Sequence, residues 1–218
     1  MTTSDEEVVV AAGGVQLRGD LAVPEQATGI VLFAHGSGSS RASPRNRAVA
    51  ATLRAAGLGT LLFDLLTVAE ERDRENVFDI ELLAGRLAGA TRWLRAQPGV
   101  GDLAVGYFGA STGAAAALWA ATEPGTDVAA VVSRGGRPDL AAERLPQVSA
   151  PTLLVVGGLD HQVLELNRRA QALLRCPNEL LVVPGATHLF EEPGTLRAAA
   201  SAACDWFSAN LSPPRQTG

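Results

Sequence analysis

The feature that most constrains the fold is the segment 103–122, where a short apolar run meets an alanine-rich run at a serine flanked by glycines. The run from Leu103 to Phe108 contains β-branched and aromatic residues, and the alanines after it are strong helix formers. Between them, residues 109–113 read Gly-Ala-Ser-Thr-Gly. A G-x-S-x-G pattern between strand and helix holds the serine on a strained turn with its hydroxyl exposed, and the glycines allow close approach of the two elements. The segment therefore predicts strand, tight turn and helix, with Ser111 as a candidate nucleophile.

The rest of the chain alternates between apolar runs and helical patterns. Strands are predicted at 8–12, 15–23, 30–34, 58–64, 128–133, 150–157 and 180–183, and helices at 44–57, 77–97, 163–174 and 195–210. The first two strands flank a Gly-Gly turn and form a hairpin, whereas the charged segment 68–76 is expected to be a surface loop. Continuously apolar strands that alternate with helices indicate an α/β protein with a mostly parallel, twisted sheet and helices on both faces.

Length and composition limit the domain count and the chemistry. With 218 residues, 47% hydrophobic and 19% charged, the chain is expected to form one domain over residues 1–211, followed by a flexible tail at 212–218. All 18 basic residues are arginine. The lack of lysine excludes a phosphate-binding loop of the G-K-[ST] type and lysine Schiff-base chemistry.

The net charge, the cysteines and the histidines bear on the expected partners, cellular compartment and cofactors. A net charge of −5 gives no general basic surface, so no nucleic-acid partner is predicted. No apolar run approaches about 18 residues and the N-terminus has no apolar signal core, so no membrane segment is expected. Cys176 and Cys204, without C-x-x-C spacing, fit a reduced compartment and a cytoplasmic protein. The three histidines are scattered, and neither a metal nor another cofactor is predicted.

Three candidate catalytic residues follow predicted strands. Ligands bind outside the carboxyl ends of the strands in open α/β sheets. Ser111, Asp160 and His188 all lie at such ends, in that chain order. Four motifs stand at the same edge: His-Gly-Ser-Gly-Ser-Ser-Arg at 35–41, Gly-Ala-Ser-Thr-Gly at 109–113, Ser-Arg-Gly-Gly-Arg-Pro-Asp at 133–139 and Pro-Gly-Ala-Thr-His at 184–188.

On these motifs the chain resembles the α/β-hydrolase superfamily over nearly its full length. It is most similar to the dienelactone-hydrolase-related branch, and to the hydrolase domain sometimes fused to phosphoribosyltransferases. The resemblance implies the α/β-hydrolase fold and cleavage of a carboxylic ester, thioester or lactone through an acyl-enzyme on Ser111. Dienelactone hydrolases proper have a cysteine at that position, which argues against dienelactone itself as the substrate. Too few residues separate Ser133 from Pro151 for a helical lid, so we expect an open site for small or flexible acyl substrates.

Each catalytic candidate has a chemical role. A serine hydroxyl becomes nucleophilic when an imidazole takes its proton, and the imidazole needs a carboxylate on its other nitrogen. His188 is assigned as the base and Asp160 as its carboxylate. Asp64 and Asp139 are rivals for the last role, but Asp64 is expected to anchor the loop after its strand and Asp139 to begin a helix.

Further residues are assigned to the oxyanion hole and the substrate site. The backbone N–H groups of Thr112 and Ser37 are the expected donors to the oxyanion. His35 is expected to brace the oxyanion loop through its ring nitrogens and His161 to lie at the rim, and both are assigned to the substrate site.

Two arginine clusters predict a subsite for an anionic group. In the strand order that the resemblance implies, Arg41, Arg45 and Arg47 lie in one segment beside Ser111, and Arg134 and Arg137 in the other. Arginine presents a planar fork that suits carboxylate or phosphate. Arg41, Arg134 and Arg137 are assigned to substrate binding, while Arg45 and Arg47 are expected to be more solvated than Arg41 and Arg134. The alternative is that the arginines pair with nearby carboxylates and tie surface loops together: Asp64, Glu70, Glu71 or Asp139.

Two other functions stay open from the residues. A non-catalytic protein could bind a ligand or partner on the same fold. The same three residues also serve amidases, peptidases and acyltransferases.

Overall fold

An eight-stranded sheet forms the centre of the protein. The computed structural model describes residues 3–211, so the predicted tail at 212–218 lies outside the described residues. The strands are β1 (Thr3–Ala12), β2 (Val15–Pro24), β3 (Gly29–Ala34), β4 (Gly59–Phe63), β5 (Ala104–Ala110), β6 (Val128–Arg134), β7 (Thr152–Gly157) and β8 (Asn178–Val183). Their order is β1-β2-β4-β3-β5-β6-β7-β8. Strand β2 is antiparallel to both of its neighbours, β1 and β4, and the strands from β4 through β3 to β8 are parallel to one another. The predicted mostly parallel sheet is confirmed.

Helices cover both faces of the sheet, as predicted. They are α1 (Pro44–Ala55), α2 (Arg74–Phe78), α3 (Ile80–Arg95), α4 (Thr112–Ala120), α5 (His161–Leu173) and α6 (Thr195–Asn210). Leu53 of α1 and Phe207 of α6 belong to the apolar core on one face. Leu87 of α3 and Leu118 of α4 belong to the core on the other. Burial of these apolar stripes against a sheet that is itself apolar on both sides is the main stabilising interaction of such a fold.

The segment 68–76 differs from its prediction as a surface loop. It contains a 3-10 helix at Glu70–Arg72 and continues into α2. The side chain of Asp73 caps α2 by accepting a hydrogen bond from the N–H of Glu75 at 2.9 Å. The nearly buried Arg86 of α3 pairs with Glu70 at 2.6 Å. This contact across sixteen residues holds the segment against α3, and the local sequence pattern does not reveal it.

The sheet order brings the predicted site together. Strand β5 lies between β3 and β6, so the segments that follow those two strands flank Ser111. The fully described stretch between β6 and β7 holds two short 3-10 helices, Pro138–Ala141 and Leu145–Gln147, and no inserted lid. Within residues 3–211, no helix is both long and apolar enough to cross a membrane.

Candidate active site

Ser111 lies on a strained turn between β5 and α4. Its φ of 53° and ψ of −120° fall outside the regions that side-chain-bearing residues usually adopt. The two flanking glycines make the turn possible. A Cβ on Gly109 would strike the backbone of Ala114, and one on Gly113 would strike the carbonyl oxygens of residues 34 and 35. Among the described residues the Ser111 hydroxyl has no hydrogen-bond partner, and it lines a cavity of about 270 Å³.

His188 and Asp160 meet at the same edge of the sheet. Asp160 follows β7 and His188 follows β8. The His188 ring nitrogen Nδ1 lies 2.6 Å from Asp160 Oδ2. An Nδ1–H that donates to this carboxylate leaves Nε2 as the free nitrogen of the ring, which is the tautomer that a general base requires. His188 lines the same cavity as Ser111.

The two rival carboxylates have other partners. Asp64 accepts a hydrogen bond from the backbone N–H of Arg41 at 2.8 Å, so it anchors the loop after β3. Asp139 lies in a 3-10 helix and accepts two hydrogen bonds from Arg137, at 2.9 and 2.8 Å. Of the three candidates, Asp160 alone contacts His188.

The two predicted oxyanion donors are adjacent. Thr112 is the first residue of α4, where backbone N–H groups have no intrahelical acceptor. The N–H of Ser37 donates to the Thr112 hydroxyl at 2.8 Å. This second donor is therefore already in use in the structure, which the sequence pattern does not indicate.

His35 holds the loop that follows β3 against the segment that follows β4. Its Nε2 accepts from the N–H of Leu65 at 3.0 Å, and its Nδ1 lies 3.0 Å from the carbonyl oxygen of Gly36. Burial lowers the pKa of His35, which agrees with a neutral ring that donates from one nitrogen and accepts at the other. His161, at the start of α5, is exposed and does not line the cavity with Ser111.

Two of the three assigned arginines face carboxylates instead of the cavity. Arg41 contacts Asp20, lies 3.2 Å from Glu7 and 3.4 Å from Asp64, and does not line the cavity with Ser111. Arg137 is bound by Asp139, and this hydrogen bond raises its pKa. Their assignment to substrate binding is corrected for this reason: both guanidinium groups already have anionic partners, so they tie loops together.

Arg134 has a different environment. Only 6% of the residue is exposed, its Nε has no hydrogen-bond partner, and no carboxylate of the described residues pairs with it. The guanidinium lies 5.5 Å from the centre of the Phe190 ring and lines the cavity with Ser111. Burial, together with the positive charge of Arg45, lowers the pKa of Arg134 to about 10. It is thus a buried cation without a counterion.

Arg45 and Asn46, at the start of α1, complete this cavity. We call it the arginine cavity: the space lined by Ser111, His188, Arg45, Asn46 and Arg134. Arg45 is more exposed than Arg41 and Arg134, as expected, yet it lines the cavity, and it pairs weakly with Glu191 at 3.4 Å. Asn46 is 2% exposed, and its side-chain oxygen has no partner. The sequence analysis placed Arg45 beside Ser111 without assigning it to substrate binding, and it missed Asn46, although a helix that starts with Pro44 directs its first turn at this edge.

A second cavity, of about 350 Å³, is bordered by residues 35–40, the loop that follows β3. We call it the leucine cavity, after the apolar side chains on its wall: Leu65, Leu66, Val77 and Leu83. Thr112 and Ser37 line it too, whereas His188 does not. The charged side chain on the wall of the leucine cavity is that of Glu71.

No site for a metal is built from the described part of the chain. Residues 3–211 contain no group of three or more His, Cys, Asp or Glu side chains that is placed to hold an ion.

The fold and this arrangement define the chain as an α/β-hydrolase. It belongs to the dienelactone hydrolase family, whose model matches residues 18–213. A crystal structure of a dienelactone hydrolase from Anabaena variabilis is 56% identical, covers 97% of this chain and 100% of its own, and superposes with a TM-score of 0.94. The esterase domain of a Rhodothermus marinus protein has a TM-score of 0.77 over 97% of this chain and 100% of its own, at 19% identity, which supports the fold alone.

A curated relative has a different name. A protein of Mycobacterium tuberculosis called a putative phosphoribosyl transferase is 64% identical over 214 residues. These residues are 98% of this chain and 48% of that protein. The chain thus spans about half the length of this relative.

Proposed function

We propose that the protein is a serine hydrolase that cleaves a carboxylic ester, thioester or lactone through an acyl-enzyme on Ser111. The observation that carries the proposal is the 2.6 Å contact of His188 with Asp160 at the wall of the cavity that holds the Ser111 hydroxyl. This contact fixes the ring tautomer in which Nε2 accepts a proton.

The reaction runs in two stages. Ser111 Oγ bonds to the carbonyl carbon while its proton moves to His188 Nε2, and the N–H groups of Thr112 and Ser37 stabilise the oxyanion. The bond to the leaving oxygen or sulfur then breaks, and that atom takes the proton from His188. A water molecule repeats the sequence on the acyl-enzyme, releasing the acid and restoring the Ser111 hydroxyl.

The proposal includes a preference for anionic substrates. Its support is the uncompensated charge of Arg134 within the cavity that contains Ser111. A buried charge without a partner is unfavourable, and a bound carboxylate or phosphate compensates it. Amide bonds are less reactive than esters with the same machinery, so amidase activity is the weaker alternative.

Labelling with a fluorophosphonate probe tests the proposal. Wild-type protein is expected to label at Ser111, and folded Ser111→Ala is expected neither to label nor to turn over short p-nitrophenyl esters. Circular dichroism of both proteins controls for folding. A wild-type protein that neither labels nor hydrolyses esters, thioesters or lactones would instead be a binding protein on this scaffold, and turnover by folded Ser111→Ala would remove the serine from the mechanism.

A further inference from the structure

The arginine cavity, which Ser111 lines, and the leucine cavity, which Thr112 lines, differ in charge and in their relation to His188. The arginine cavity contains two guanidinium groups, from Arg45 and Arg134, whereas the leucine cavity contains the carboxylate of Glu71. His188 lines the arginine cavity and not the leucine cavity. A substrate that occupies both cavities therefore has either its leaving group or its acyl group in the arginine cavity. The position of His188 distinguishes these two orientations.

The chemistry of the leaving group determines that direction. In the proposed reaction, the proton that His188 Nε2 takes from Ser111 must reach the leaving oxygen or sulfur, which has to lie within hydrogen-bond distance of the ring. The leaving group consequently extends along the wall that carries His188, into the arginine cavity. The acyl group extends from the carbonyl carbon in another direction. The leucine cavity, which adjoins the oxyanion donors, is the space left for it.

The arginine cavity is built to receive an anion. Arg134 is buried, and the positive charge of Arg45 repels it, so an anionic oxygen between the two relieves both an uncompensated charge and a like-charge repulsion. Asn46 is buried in the same wall, and its side-chain N–H2 is a donor that an anion can accept from, although the unpaired atom of the side chain is its oxygen. The amide has both donor and acceptor atoms, and α1 adds the positive end of its dipole.

The leucine cavity is built to reject an anion. Leu65, Leu66 and Leu83 are all buried, and they offer apolar surface to an acyl chain. Glu71 would face any carboxylate on that chain, and like charges at close range are unfavourable. The two cavities thus select against the same substrate bound in the opposite direction.

We propose that the substrate is an ester or thioester of a short apolar acid with an alcohol or thiol that carries a carboxylate or phosphate. This proposal rests on the proposed function, because it assigns the two halves of the bond that Ser111 cleaves. Arg134, Arg45 and Asn46 bind the anionic leaving group, and the leucine cavity binds the acyl chain.

Three esters test this direction. 4-Carboxyphenyl butanoate carries the charge on the leaving group, its carboxamide analogue is neutral there, and monophenyl adipate carries the charge on the acyl group. Wild type is expected to have a kcat/KM about ten- to a hundredfold higher for the first than for the carboxamide, as charged hydrogen bonds of this kind allow. Monophenyl adipate is expected to be the poorest substrate. A 4-phosphonooxyphenyl ester in a fourth arm shows whether phosphate or carboxylate fits better.

Variants locate the effect. Arg134→Gln is expected to remove most of the preference for the charged leaving group, measured as the ratio of kcat/KM for 4-carboxyphenyl butanoate to kcat/KM for the carboxamide. Arg137→Gln, three residues along the same segment and outside the cavity, is the matched control and keeps the preference. If Arg134→Gln does not fold, Arg45→Gln is expected to reduce the preference several-fold. Val77→Phe, which narrows the leucine cavity, is expected to lower activity on longer acyl chains with the charge preference intact.

The possible failures are distinguishable. Hydrolysis of all the esters without a charge preference, or faster turnover of monophenyl adipate, overturns the assignment of the cavities and leaves the serine hydrolase intact. A lack of hydrolysis together with a lack of fluorophosphonate labelling overturns the proposed function itself.

Discussion

Arg41 and Arg134 stand on opposite sides of Ser111, and both are at least partly buried, yet their surroundings are opposite. Arg41 contacts three carboxylates, from Glu7, Asp20 and Asp64. Arg134 contacts an aromatic ring and no carboxylate of the described residues. The difference teaches that arginine content near a nucleophile does not define an anion site. The absence of a protein counterion does, because a charge that is already paired has little to gain from a ligand.

The largest expected effect is a difference in kcat between variants of Asp160, which contacts His188, and of Asp64, which contacts Arg41. Asp160→Asn is expected to lower kcat about 10³- to 10⁴-fold, because the amide no longer favours the productive tautomer of His188. Asp64→Asn is expected to change kcat little, since Asp64 binds the Arg41 side of the molecule. Steady-state kinetics of both purified variants measure this. A loss in Asp64→Asn as large as that in Asp160→Asn would mean that Arg41 and its carboxylates belong to the catalytic machinery.

Stability gives a second, smaller contrast. Arg41→Met is expected to lower the free energy of unfolding by about 1–2 kcal/mol, because it leaves the partly buried Asp64 without its cation and leaves Asp20 with Arg47 alone. Arg134→Met is expected to keep or raise stability, because it removes an unpaired buried charge and retains packing on Phe190.

Urea unfolding of wild type and the two methionine variants measures this contrast. The matched substitution keeps the two changes comparable in volume and in lost charge. A destabilisation of Arg134→Met equal to that of Arg41→Met would show that Arg134 stabilises the fold through contacts other than a counterion, and the comparison would fail.

The smallest expected effect is a difference in ligand affinity between variants of two arginines on α1, Arg45 and Arg47. Arg45 faces the arginine cavity, whereas Arg47 pairs with Asp20 at 3.3 Å. Arg45→Gln is expected to weaken competitive inhibition by 4-hydroxybenzoate about two- to fivefold, the range of partly exposed charge pairs. Arg47→Gln is expected to leave the inhibition constant unchanged. Equal effects would indicate long-range attraction by net charge, and high salt would then abolish both.

Local sequence patterns predicted the elements that position the site. The predicted helix at 195–210 has the same bounds in the structure, and α1 begins at the predicted Pro44. The strand, turn and helix around Ser111 followed from composition alone, because β-branched and alanine-rich runs have opposite preferences. The type and the ends of these helices and strands depend on residues that are close together in the sequence.

Contacts between distant residues were beyond the sequence. Arg41 was expected in the substrate site but pairs with carboxylates, whereas Arg45 lines the cavity although its side chain is the more exposed of the two. The partners that draw Arg41 away, Glu7 and Asp20, come from the N-terminal hairpin, which packs beside β4. Nothing in the spacing of these residues shows that they meet. The local pattern at 68–76 failed for the same reason, since Arg86 holds that segment from α3.

The hydrogen bond from the Ser37 N–H to the Thr112 hydroxyl has a consequence for how the protein distinguishes a bound ester from the reacting one. If Ser37 is the oxyanion donor proposed above, the threonine hydroxyl is an internal rival that the substrate oxygen must displace. A neutral ester carbonyl gains little from exchanging one uncharged acceptor for another. An oxygen that has become negative is a much stronger acceptor and displaces the hydroxyl readily. In that case the Ser37 N–H binds the substrate oxygen strongly only after this oxygen has become negative. The hydrogen bond then lowers the free energy of the transition state without increasing the affinity for the unreacted ester.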